Sequence, residues 1–130
     1  RYGRDGCRVP IPWEANQPSY GFGPTSASWL PQPADWAPFA RDSQQGVAGS
    51  TLELYRQALA LRAAHGLGLG TLEWVKGYGD EVIAYRNGSV VVIANLGTAD
   101  VALPSGAVLL ASVDVSNGVL PSDSTAWIAA

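Results

Sequence analysis

The 130 residues carry 8 Lys and Arg against 11 Asp and Glu, a net charge of −3, and 47% of them are hydrophobic, enough to bury the core of one ordinary domain. Charged side chains make up only 15% of the chain and leave no basic surplus to neutralise a phosphate backbone or an anionic membrane, which argues against nucleic acid or membrane partners. No apolar run approaches the roughly 18 to 20 residues a bilayer span needs, and the lone Cys7 excludes an internal disulfide, so a reducing, cytoplasmic setting is expected.

The chain opens at Arg1, holds no methionine, and runs at once into irregular sequence, so it is expected to be a piece of something longer. Arg4-Asp5-Gly6-Cys7-Arg8-Val9-Pro10-Ile11-Pro12-Trp13 must be loop, because its prolines and glycine forbid helix or central strand. Guanidinium donors beside a flat apolar ring suit a polar ligand with flat faces, and sugars have that character. From Val9 to Gly49 the prolines at positions 10, 12, 18, 24, 31, 33 and 38 alternate with Trp13, Tyr20, Phe22, Trp29, Trp36 and Phe39. A turn or two of helix is the most this stretch can form. Its aromatic content argues against disorder, so an ordered binding loop is expected, held by a scaffold that lies mostly outside this sequence.

Ser50-Thr51-Leu52-Glu53 reads as a helix start, with Ser50 as N-cap and Glu53 able to return a bond to the cap's own N–H. Leu52, Leu54, Tyr55, Ala58, Leu59 and Leu61 form one broad apolar stripe, and Gly66, Gly68 and Gly70 should end the helix near His65. Beyond Thr71 the period shortens to that of strands, expected over Leu72 to Val75, Glu81 to Arg86, Ser89 to Leu96, Asp100 to Leu103, Ala107 to Asp114 and Thr125 to Ala129. Asn87-Gly88 predicts a type I′ hairpin and Asn117-Gly118 a second reversal. Val90 to Ala94, apolar on both faces, suits a central strand covered on both sides, so this tail reads as a small antiparallel sandwich.

These residues carry a family resemblance. Arg4 through Trp13 resembles the Arg-Asp-x-x-Arg-Thr-Pro-Met-Gln-Trp segment of glycoside hydrolase family 13, in its α-glucosidase and oligo-1,6-glucosidase branch. Tyr20-Gly21-Phe22, Trp29-Leu30-Pro31, Leu54-Tyr55-Arg56 with Leu61-Arg62, and Val92-Ile93-Ala94-Asn95-Leu96 follow in the order of that family's later landmarks. The resemblance implies a mostly β chain. Residues 1–66 would be the last βα loop and last helix of a (β/α)8 barrel, and residues 67–130 a C-terminal antiparallel β-sandwich. The family's retaining chemistry uses one carboxylate as nucleophile and a second carboxyl as acid. Both belong to motifs absent from this sequence, so no catalytic residue, cofactor or metal ligand is expected here.

The resemblance implies that Arg8 reaches into the glucose pocket, where its donors would meet sugar oxygens or a neighbouring aspartate; the competing reading is an ion pair with Asp5 that fixes the loop. Arg4 is a weaker candidate for the same task. Where the family often has Thr-Pro-Met-Gln-Trp this chain has Val9-Pro10-Ile11-Pro12-Trp13, so hydroxyl and amide contacts are lost. Phe22, with Tyr20 and Trp29, could stack on sugar faces, whereas Trp13, Trp36, Trp74 and Trp127 read more simply as packing. Cys7 with His65 does not make a convincing nucleophile and base, because His65 sits in a last helical turn where it favours the dipole. Asp80, Glu81, Asp114 and Asp123 are scattered among turns and read as solvated charges.

The expected parent is thus a retaining α-glucosidase acting on terminal α-linked glucose, with the upstream catalytic barrel and an α-glucoside as partners. The alternatives are transglycosylation, sucrose isomerisation or trehalose formation within the family, or a non-catalytic carbohydrate-binding β-sandwich.

Overall fold

The computed structural model describes residues 3–4 and 7–130. They form two compact units that divide after Glu53, and each has its own logic.

The first unit is the proline-rich stretch. Its prolines remove N–H donors and fix φ, and among the described residues 8–50 it forms 3-10 turns at Pro18–Gly21 and Ala34–Phe39 and a single helical turn, α1, at Arg41–Gln44. The loop is braced by long-range bonds instead. The N–H groups of Trp13 and Glu14 both donate to the Tyr20 carbonyl, at 3.0 and 3.1 Å, and those of Arg41 and Asp42 donate to the carbonyls of Pro12 and Trp13, at 3.0 and 3.2 Å. Both carboxylate oxygens of Asp42 accept the Ala15 N–H, at 3.0 and 3.1 Å. The Arg41 guanidinium lies 5.0 Å over the Trp13 ring, close enough for a cation–π contact. Ala40, fully buried, sits where these strands of loop meet.

Inside the first 3-10 turn, Ser19 (φ 48°) and Tyr20 (φ 51°) are both left-handed, and Gly21 (φ 85°) follows them. For a residue with a Cβ that conformation costs about 1–2 kcal/mol. Neighbouring bonds hold the pair in place. The Ser19 hydroxyl donates to the Thr25 carbonyl at 2.7 Å, the Gln32 amide donates to the Ser19 carbonyl at 3.4 Å, and the Tyr20 hydroxyl donates to the Pro33 carbonyl at 2.8 Å.

Helix α2 spans Thr51–Ala64. Ser50 caps it as expected, its Oγ accepting the Glu53 N–H at 3.3 Å. The return arm differs from a simple capping box: Ser50 donates its own N–H to Val47 O at 3.1 Å, and the Glu53 carboxylate accepts the Gly46 N–H at 2.9 Å. At the other end Leu67 N–H reaches Arg62 O and Gly66 N–H reaches Ala63 O, at 3.1 and 3.2 Å, with Gly66 at φ 62°. This is a Schellman stop, and glycine supplies its left-handed residue. The expected broad stripe splits in two. Leu54, Ala58 and Leu61 are half-buried, whereas Tyr55 and Leu59 are 65% and 63% exposed.

In the second unit, which takes in the helix from Leu54 onward, seven strands follow: β1 Leu72–Trp74, β2 Val82–Asn87, β3 Val90–Asn95, β4 Val101–Ala102, β5 Ala107–Ala111, β6 Val119–Leu120 and β7 Ser124–Ala129. Five make an antiparallel sheet in the order β1-β2-β3-β7-β5, and β4 with β6 makes a two-stranded ribbon. The chain is therefore mostly antiparallel sheet with few helices. β3 is central, as its two-sided apolar pattern required, and all its residues but Ala94 are buried. On one face Val91 and Ile93 pack with Ala84, Ala126 and Ile128 beneath Val115 and Leu120, with Val101 and Leu103 alongside, so the ribbon is the second layer of the sandwich. On the other face Val92 lies opposite Tyr85 and Trp127, and Leu54 and Ala58 of α2 share a hollow of about 160 Å³ with Leu110 and Trp127.

Two expectations about the strands need correcting. The β2–β3 turn is not type I′ on Asn87-Gly88: Asn87 still pairs with Val90, and the two-residue loop is Gly88-Ser89 with positive φ at Gly88 alone, the φ pattern of type II′. Asn87 is instead drawn into the ladder, where its side-chain amide donates to Leu67 O at 3.0 Å. β6 was not anticipated, because a two-residue strand has no period to read. It is secured by Asn95, fully buried, whose amide donates to Ala99 O at 2.8 Å and to Leu120 O at 3.0 Å while its oxygen accepts the Gly97 N–H at 3.0 Å.

Candidate functional site

Proline-fixed chain on either side of the left-handed turn leaves a cavity of about 310 Å³ within the first unit. Arg8 and Phe22, the two leading binding candidates, both line it, together with Ser19, Ser28, Trp29 and Gln32. Phe22 is 53% exposed and Trp29 92% exposed, so their ring faces are open to a ligand. A second, more polar hollow of about 540 Å³ adjoins it, lined by Asn16, Gln17 and Ser26 among others and sharing Ser19, Ser28 and Gln32 with the first. Both volumes fall in the range of small-molecule sites, about 300–1,000 Å³.

The other candidates go elsewhere. Arg4 does not line the cavity; its carbonyl accepts the Cys7 N–H at 3.2 Å and the Cys7 thiol at 3.1 Å. Asp5, the alternative partner for Arg8, lies outside the described residues. Tyr20 spends its hydroxyl on Pro33 and acts as a brace. Trp13 is held under Arg41, and Trp36 lines a shallow apolar groove with Pro10, Ile11 and Phe39. Trp74 meets Tyr85 edge to face at 6.2 Å. His65 Nδ1 is 3.3 Å from Ser89 Oγ, and Cys7 and His65 belong to different units.

Asp114 accepts the Ser116 N–H at 3.0 Å and the Ser116 hydroxyl at 3.2 Å, and these bonds, the backbone one foremost, hold its exposed carboxyl below the ordinary carboxylate value. Among the described residues no group of three or more His, Cys, Asp or Glu is placed to hold a metal ion, and no helix is long and apolar enough to cross a membrane.

Chemically, the described lining residues offer one guanidinium, open aromatic faces, two hydroxyls and an amide. Such groups can hold and orient a neutral polyhydroxylated ligand. Ser19, Ser28 and Gln32 were missed from sequence. The legible hint was Gln32 itself, a polar side chain set between Pro31 and Pro33 where the backbone is fixed on both sides.

Comparison with known proteins bears on this arrangement. Residues 78–127 match a family described as a domain of unknown function (DUF3459). A probable α-glucosidase of Rhizobium meliloti (strain 1021) is 41% identical over 75 residues, which is 57% of this chain and 13% of that protein. Among solved structures, the α-glucosyl transfer enzyme XgtA is 29% identical with a TM-score of 0.69, over 97% of this chain and 26% of its own. A MUTB mutant from crystals soaked with trehalulose superposes with a TM-score of 0.74 at 18% identity, over 98% of this chain and 26% of its own. A mutant trehalose-6-phosphate hydrolase (TreA) of Bacillus licheniformis superposes with a TM-score of 0.69 at 20% identity, over 98% of this chain and 27% of its own; these last two likenesses speak to fold alone. The chain thus spans about a quarter of the structures it matches. The chain is similar to the C-terminal portion of glycoside hydrolase family 13 enzymes, a probable α-glucosidase among them.

Proposed function

We propose that this chain is part of a retaining α-glucosidase that releases terminal α-linked glucose from oligosaccharides or disaccharides, and that its share of the work is to wall the glucose pocket. The catalytic carboxylates would lie on upstream chain, with residues 1–66 completing the barrel and residues 67–130 forming the sandwich beside it. The observation that carries the reading is the shared cavity: Arg8 and Phe22, 14 positions apart in sequence, open onto one hollow. In this role the Arg8 guanidinium donates to sugar oxygens, while Phe22 offers a ring face. The single cysteine supports a cytoplasmic setting.

The test is glucose release from maltose by the full-length protein. A charge-assisted hydrogen bond contributes about 1.5–3 kcal/mol, so Arg8→Ala should lower kcat/KM by about 10- to 100-fold. Arg8→Lys, which keeps charge but loses the fork, should fall between. Wild-type rates from Arg8→Ala would remove the pocket role. The likeness to a glucosyl transfer enzyme favours a second reading, transfer of glucose to a sugar acceptor, and product analysis separates the two by whether free glucose or a lengthened sugar accumulates.

A further inference from the structure

We infer that Gln32 is a specificity-determining residue that reads the hydroxyls of a second sugar ring where the two hollows meet. This rests on the α-glucoside reading above and deepens it. Three residues, Ser19, Ser28 and Gln32, line both the cavity beside Arg8 and the adjoining polar hollow, so they form the boundary between the two. A ligand longer than one ring must cross that boundary. Among the three, the hydroxyls are already committed as donors to the loop's own backbone: Ser19 to Thr25 O, and Ser28 to Leu30 O. Gln32 is different. Its Nε2 donates to the Ser19 carbonyl at 3.4 Å, which sets the orientation of the amide. Its Oε1 accepts no hydrogen bond among the described residues, and it is not a buried orphan.

A half-buried amide pinned through its nitrogen presents an oxygen with fixed direction, and such an acceptor discriminates between hydroxyl patterns better than a freely rotating one. The surroundings divide the labour. The first hollow has the open rings of Phe22 and Trp29 and the Arg8 donors; the second has the amides of Asn16 and Gln17 and the hydroxyl of Ser26. One ring would be held by stacking and the guanidinium, and the next by polar side chains, with Gln32 Oε1 accepting from a hydroxyl at the junction. The ligand class is an α-linked oligosaccharide of at least two rings.

The experiment compares kcat/KM of the full-length protein for maltotriose, maltose and p-nitrophenyl α-glucoside, whose aryl group has no hydroxyls to read. Gln32→Ala should lower the value for maltotriose and maltose by about 5- to 20-fold, through KM, and change the aryl glucoside less than 2-fold. Gln32→Glu keeps an acceptor but replaces the pinning donor with a carboxylate against the Ser19 carbonyl, so it should lose the sugar-over-aryl preference as Gln32→Ala does; a purely structural role for the Nε2 bond would instead lower all three substrates alike. Should Gln32→Ala not fold, Gln32→Met takes its place, with the same sugar-specific loss expected. Equal losses on all three substrates, or none, overturn the inference while leaving the α-glucosidase reading intact. A wild-type protein inactive on every α-glucoside overturns both.

Discussion

Ile93→Ala removes the side chain at the middle of the central strand, and the structure sets how much that should cost. Ile93 is fully buried on β3, in register with Ala84 on β2 and Ala126 on β7, beneath Leu120 and Val115. Deleting the equivalent of three methylene groups forfeits about 2.4 kcal/mol of transfer free energy. Its flanking partners are alanines, with no atoms beyond Cβ to move into the gap, so the remaining cavity should keep most of its volume and bring the total to about 4 kcal/mol, in the upper part of the range for such truncations. Ile83, next to Ala84 but pointing to the opposite face and 43% exposed, is the internal control, and Ile83→Ala should cost about 1 kcal/mol. Urea unfolding of the purified protein followed by far-UV circular dichroism measures both. With a slope of about 2 kcal/mol per molar the midpoint should fall by about 2 M for Ile93→Ala and about 0.5 M for Ile83→Ala. Equal shifts for the two variants would refute the assignment of the core to the ribbon-covered face.

Two further outcomes follow from local geometry. Gly106 has φ 139°, and a Cβ there would run into the carbonyl oxygen of Ala129 and the side chain of Ile128 at the edge where β5 pairs with β7; Gly106→Ala should therefore cost about 2–4 kcal/mol in the same unfolding assay, while Gly46→Ala, positive in φ but with open space around it, should cost about 1. The Asp114 carboxyl titrates below its ordinary value because folding gives it bonds from Ser116, so any stability it contributes is present above the unfolded pKa and lost as pH falls through the folded one; in Ser116→Ala the backbone bond stays and the hydroxyl bond goes, so a carboxyl-carbon NMR titration should show the midpoint move part of the way back up.

Local chemistry was written plainly in the chain. Ser50 and Gly66 mark the ends of α2 because a cap and a left-handed stop depend on a few neighbouring atoms. The two-sided apolar run at β3 announced a central strand for a similar reason, since burial on both faces leaves no room for polar residues. The Arg8 and Phe22 candidates came from a family resemblance, read together with the guanidinium and ring chemistry of those residue types. Other features depended on partners distant in sequence. The β2–β3 turn moved one residue along because Asn87 is held by Leu67, a contact invisible to a reading of Asn-Gly by itself. β6 exists because Asn95 reaches Leu120 from another strand. Gln32 enters the cavity lining beside the left-handed Ser19-Tyr20 pair, whose bonds to Thr25, Gln32 and Pro33 span the loop and are not readable from neighbouring residues. Capping, turn stops and strand burial are decided within a few residues, so the sequence alone determined them; which side chains share a cavity is decided by long-range hydrogen bonds among prolines that leave the chain few regular options, and only the folded loop settles it.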